Sequence, residues 1–99
     1  MNSLFALFAV SDPAAIAKRL AAAKDSPFPF LSHPVTDDSW FLIAPASTTT
    51  KEWSDFLNLT GTGKGVGVIV RADYFFGSAS SALWEWISGK LGTDFSKRP

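Results

Sequence analysis

The 99-residue sequence contains no cysteine and a single histidine, and its nine basic and nine acidic side chains cancel. The lack of cysteine excludes disulfides and thiolate metal sites, and it fits a reducing compartment, so we expect a cytoplasmic protein. Zero net charge argues against a dedicated nucleic-acid binder, because such proteins normally carry an excess of Lys and Arg.

Long apolar segments are also scarce. The first ten residues are mostly apolar, but no Lys or Arg precedes them and they are too short to span a bilayer. We therefore interpret them as a strand and expect no membrane association. What is abundant is aromatic residues, with nine Phe and four Trp. A small domain has limited interior volume, so part of this aromatic surface is expected to contact a partner.

Apolar runs alternate with amphipathic stretches, and this pattern predicts the element order β-α-β-β-α-β-α. Predicted strands cover residues 3–10, 30–35, 39–44 and 66–74; predicted helices cover 14–24, 49–58 and a last segment around 83–91. Asp12 before Pro13 is typical of a helix start, and Thr49 with Glu52 fits a capping box. Pro34 lacks an N–H group and predicts an edge strand.

Two split β-α-β units in this order predict an α+β, ferredoxin-like sandwich. Its antiparallel sheet has the strand order 4-1-3-2, with an additional C-terminal helix. We expect the strands that begin at Ser3 and Ser39 to be central and to run parallel to each other. Residues 1–92 are predicted to form a single domain, and residues 93–99 a flexible C-terminal tail.

The central strands are apolar at every position, so both faces of the sheet need a cover. Two helices cover only one face. Either the last helix folds across the other face or a second copy stacks on it. We favour a homodimer, and an unidentified protein partner is the other possibility at this surface.

Several short motifs together resemble a known family. They are residues 38–43, the Thr-rich helix start, the Val-rich strand, and residues 74–77 and 83–87. Over most of the chain this pattern is similar to SinR-like small proteins, ferredoxin-fold relatives of the small CRISPR-associated endoribonuclease-like subunit. The resemblance implies a ferredoxin-like fold and dimerisation, without a securely established activity.

Relatives with nuclease-like character carry an Asp after a Tyr near the end of the first strand, where it is proposed to hold a divalent metal. The corresponding residues 7–10 include no carboxylate. Asp12 is the only nearby candidate, either as a ligand for Mg²⁺ or Mn²⁺ at a dimer axis or as a helix N-cap. His33 with Asp37 and Asp38 could form an acid–base group, or be a surface histidine beside a turn.

No catalytic or cofactor site emerges from the sequence, so we predict a non-enzymatic protein-interaction or adaptor module. Trp86 lies off the apolar stripe of the last helix, and Trp often carries binding energy at interfaces. The predicted interface residues are Tyr74, Phe75, Phe76 and Trp86. Two alternatives stay open, a metal-dependent nuclease-like enzyme and a small inhibitor of another protein.

Overall fold

A computed structural model describes residues 1–59, 65–72 and 81–95 of the protein. Its elements are β1 (Asn2–Ala9), α1 (Pro13–Ala21), a 3₁₀ turn (Ala23–Asp25), β2 (Leu31–Thr36), β3 (Ser39–Pro45), α2 (Thr50–Leu57), β4 (Gly67–Ala72) and α3 (Ser81–Lys90). The predicted α+β class is confirmed. The first helix ends earlier than predicted, and a 3₁₀ turn continues toward Asp25.

The four strands form one sheet in the order β2-β3-β1-β4. Counted from the β4 edge, the order is β4-β1-β3-β2. Pro34 lies on an edge strand, as predicted. The expectation that β1 and β3 run parallel is wrong, because Phe5 lies opposite Leu42 in an antiparallel ladder. The helical crossover brings β2 back in the direction of β1, and the tight turn after Thr36 then reverses β3.

Helices α1 and α2 cover one face of the sheet. Alternate residues of β1 and β3 point into this core, because successive side chains of a strand face opposite sides. The buried residues of this face are Phe5, Leu7, Ile16, Leu20, Phe28, Phe30, Trp40, Leu42, Ala44, Trp53, Leu57 and Leu59. The capping box is confirmed: Glu52 Oε1 accepts the backbone N–H of Thr49 at 2.9 Å, and Thr49 Oγ1 accepts that of Glu52 at 3.1 Å.

Arg71 links β4 to the connection that precedes α2. Its Nη2 donates to the carbonyl oxygens of Ala46 and Thr48, at 2.9 and 2.7 Å. The guanidinium carbon lies 5.4 Å from the centre of the Phe5 ring. The Arg71 side chain is therefore held on the helix-covered face, and the opposite face of β4 carries no charge.

Among the described residues, the helices are all too short or too polar to cross a membrane.

Trp53 is the centre of the aromatic core. It is fully buried, and its ring centroid lies 4.6 Å from that of Phe28 and 5.0 Å from that of Phe30. Both rings meet it edge to face, an arrangement that stabilises aromatic pairs. Its indole Nε1 is buried without a hydrogen-bond acceptor in the described part of the chain. An unsatisfied buried donor lowers the stability of the fold.

Trp53→Phe should therefore destabilise the protein much less than Trp53→Ala. The phenyl ring keeps most of the packing and removes the unsatisfied donor, so we expect a loss of about 1 kcal/mol. The alanine variant leaves a cavity and should lose about 3–5 kcal/mol. Urea unfolding followed by circular dichroism measures both values. Equal losses in the two variants would contradict this interpretation, because the retained phenyl ring would then contribute nothing to the packing.

Candidate functional site

The second face of the sheet is covered by α3 over part of its area. Leu83 and Ile87 of α3 pack against Leu4 of β1 and Ile43 of β3, and all four are buried. The last helix therefore folds across this face, which was one of the two covers expected from the sequence. Leu91 and Phe95, after α3, also pack against this cluster. Asn2 donates through Nδ2 to the carbonyl oxygens of Leu91 and Thr93.

Three apolar side chains on the same face lie outside this cover. Phe8, Val68 and Val70 are 49%, 50% and 44% exposed, and we call them the β1–β4 patch. Phe8 is opposite Val68 in the ladder between β1 and β4, and Val70 is opposite Ala6. The three residues therefore form one contiguous surface on two neighbouring strands.

The β1–β4 patch has a simple origin in the sequence. β1 has no charged residue, and the only charge of β4, Arg71, belongs to the other face. In a half-exposed strand the outward positions are usually polar, and here they are Phe and Val. Sequence analysis did not single out these three residues. The signal was available in the alternating Val-Gly-Val-Ile-Val of residues 66–70.

Trp86 also lies on the second face of the sheet, but at the β2 side, away from the β1–β4 patch. Its ring centroid is 5.0 Å from that of His33 on edge strand β2, and the two planes are inclined by 31°. Both residues are half-buried, and Trp86 also packs against the cluster beneath α3. The predicted interface residues Tyr74, Phe75 and Phe76 lie outside the described residues. The structure thus brings His33 together with Trp86, a pairing that sequence analysis did not predict.

The two rings should stabilise each other. We expect a double-mutant cycle of His33→Ala and Trp86→Ala to give a coupling of about 0.5–1.5 kcal/mol, because offset aromatic pairs contribute this much beyond buried area. Urea unfolding of the parent, both single variants and the double variant supplies the four free energies. If the losses in unfolding free energy are additive, the two rings lie next to each other without a stabilising interaction.

Asp12 caps the start of α1. Its Oδ1 accepts the backbone N–H of Ala15 at 3.3 Å, and its φ of 46° places it in the left-handed region. The turn aspartates are elsewhere: Asp38 Oδ1 accepts a hydrogen bond from the Thr36 hydroxyl at 2.8 Å. Across residues 1–59, 65–72 and 81–95, no three His, Asp or Glu side chains are grouped as metal ligands would be.

The capping role of Asp12 can be separated from metal binding by two substitutions. Asp12→Asn keeps an oxygen acceptor and tolerates the left-handed conformation, so stability should change by less than about 0.5 kcal/mol. Asp12→Ala loses the cap and strains the backbone, so it should cost about 2 kcal/mol. Thermal unfolding with and without Mg²⁺ measures both. A Mg²⁺-dependent stabilisation that Asp12→Asn abolishes would instead identify a metal ligand.

Comparison with known proteins adds no further assignment. No protein-family profile, no curated protein and no solved structure matches the chain. The resemblance to SinR-like proteins therefore stays a prediction from the motifs alone.

Proposed function

We propose that this protein is a non-enzymatic interaction or adaptor module that acts as a small homodimer with a ferredoxin-like fold. The element order and the position of each strand in the sheet support the fold, and the motifs shared with SinR-like proteins support the family. The role in the cell is binding, to a second copy and through the dimer to other proteins.

The observation that carries this proposal is the exposed β1–β4 patch. Phe8, Val68 and Val70 present apolar surface to water on a face that is otherwise closed by α3. Removing apolar surface from water contributes about 25 cal/mol per Å² in favour of association, against the entropic cost of bringing two copies together. An apolar strand face in a small domain therefore favours association.

A second copy is the partner that best fits the chemistry of the patch. A surface without charges needs an apolar counterpart, because a charged partner would lose its hydration without gaining an ion pair. The same patch on another copy meets this requirement, and a net charge of zero produces no overall repulsion between copies. A dimer in which the same surface of both copies meets at a two-fold axis is the commonest homodimer arrangement.

The predicted interface residues 74–76 belong to this proposal. They begin two positions after Ala72, the last residue of β4, and β4 contributes two of the three patch residues. Trp86 stays a predicted interface residue, but it lies at the β2 side of this face, away from the β1–β4 patch, and His33 of its own chain contacts its ring.

The chain offers a matched pair of valines for testing the homodimer. Val70 is 44% exposed in the patch, and Val35 is 43% exposed at the opposite side of the sheet. Sedimentation equilibrium of the parent from micromolar to near-millimolar concentration should show a dimer. Val70→Lys should weaken the dimer by about tenfold or more, because burying an unpaired ammonium group is costly.

Val35→Lys is the control and should leave the association constant within about threefold of the parent, a difference under 1 kcal/mol. Circular dichroism checks that both variants keep the fold. A parent that remains monomeric over the whole range, or equal effects of the two lysines, would contradict the proposed homodimer.

A further inference from the structure

We propose that two copies pair edge to edge through β4, in antiparallel orientation, so that their sheets join into one continuous sheet. This inference gives the geometry of the homodimer proposed above and rests on it. It follows from the difference between the two edges of the sheet, from the direction of the backbone groups of β4 and from the side chains on either side of that strand.

The two edges of the sheet are unequal. Edge strand β2 contains Pro34, which has no N–H to donate, and its register with β3 shifts between Pro34 and Thr36. Proline and bulges are devices that prevent an edge from pairing with another chain. β4 has neither, and its register with β1 is regular from Gly67 to Ala72. Its sequence of Val-Ile-Val is also favourable for a strand.

The hydrogen bonds around β4 show which backbone groups point outward. The carbonyl oxygen of Val66 accepts from Val10 N–H, on the β1 side, at 2.8 Å. The N–H of the next residue, Gly67, points the other way and donates to Leu59. Antiparallel strands alternate in this respect. The N–H and C=O groups of Ile69 and Arg71 therefore lie on the outer edge, where the described chain has no further strand.

These groups define a register for the second copy. If Val70 lies on the two-fold axis, Ile69 of one copy is opposite Arg71 of the other, and each such pair forms two hydrogen bonds. Four hydrogen bonds result. This register also keeps the two Arg71 side chains apart, since each lies across from an isoleucine. The two Val70 residues face each other directly, with about 4.5 Å between their Cα atoms.

The side chains of β4 agree with this arrangement on both faces. On the exposed face, Val70 meets Val70 and Val68 meets Ala72, so the two valines of the β1–β4 patch become buried, whereas Phe8 lies one strand away from the contact. On the other face a groove of about 480 Å³ lies between β4 and α2, and its lining includes Gly67 and Ile69 of β4. Lys51 and Asp55 line this groove and form an ion pair of 2.9 Å, and their opposite charges are complementary when two α2 helices lie antiparallel.

A charge-swap experiment tests the register directly. Val70→Lys and Val70→Glu should each weaken self-association by about tenfold or more, because like charges opposite each other on neighbouring strands are destabilising. An equimolar mixture of the two variants should recover a dimer, since Lys then lies opposite Glu. Sedimentation equilibrium measures the three samples. A mixture that associates no better than either variant alone would overturn the edge pairing.

Amide hydrogen exchange distinguishes this geometry from a face-to-face dimer. In the parent, the amides of Ile69 and Arg71 should become about tenfold or more protected as the concentration rises through the dimerisation range. The amides of Val68 and Val70 already bond to β1 and serve as internal controls. If the mass shows a dimer but the amides of Ile69 and Arg71 exchange at a rate independent of concentration, the edge pairing is wrong and the homodimer still stands. A monomeric mass throughout would overturn both.

Phe8→Ser provides an independent variant. Phe8 lies on β1, one strand away from the proposed contact, so edge pairing should change by less than about threefold. A face-to-face dimer would need this side chain at its centre. Loss of the dimer in Phe8→Ser with the fold intact by circular dichroism would therefore contradict the edge geometry.

Discussion

The structure depends on one strand that is apolar on both sides. β1 pairs with β3 along one edge and with β4 along the other. Phe5 and Leu7 point into the core beneath α1 and α2, and Leu4 points into the cluster beneath α3. A strand of this kind is stable only when both faces of its sheet are removed from water, because each exposed apolar side chain reduces the hydrophobic stabilisation of the fold.

The two faces of the sheet are removed from water to different extents. On one face two helices and the Phe28–Phe30 segment enclose Trp53, Leu42 and Phe5. On the other face α3 lies at the β2 side, where Trp86 stacks on His33, and the β4 side keeps Phe8, Val68 and Val70 in water. Helix α3 is too small to cover the whole second face of the sheet. The surface proposed for association is the part of that face that α3 leaves exposed. The edge strand on this side is β4, which contains neither a proline nor a β-bulge.

Particular residues explain how far the fold could be predicted. Asp12 before Pro13 and the Thr49–Glu52 pair act locally, within one helical turn, so the sequence located both helix starts correctly. Pro34 limits its own strand to an edge for the same kind of reason. The direction of β3 relative to β1 is a non-local property, and the parallel expectation was wrong because the β2–β3 hairpin reverses the chain.

The candidate site was harder to predict than the fold. Helix α3 carries Leu83, Trp84, Trp86 and Ile87 around most of its circumference, so periodicity does not define which side meets the sheet. Whether Phe8 or Leu4 would be covered depends on where this helix lies, which no local pattern encodes. The partnership of His33 with Trp86 spans 53 positions and depends on the same placement.

The sequence by itself determined the α+β class, the helix caps and the apolar character of both sheet faces, because these follow from residue type and spacing along the chain. Only the tertiary structure decided which half of the second face stays in water and which backbone groups of β4 point outward. The physical reason is that neither the exposure of a side chain nor the position of a strand at a sheet edge is a property of one residue. Both depend on where α3 and the neighbouring strands pack.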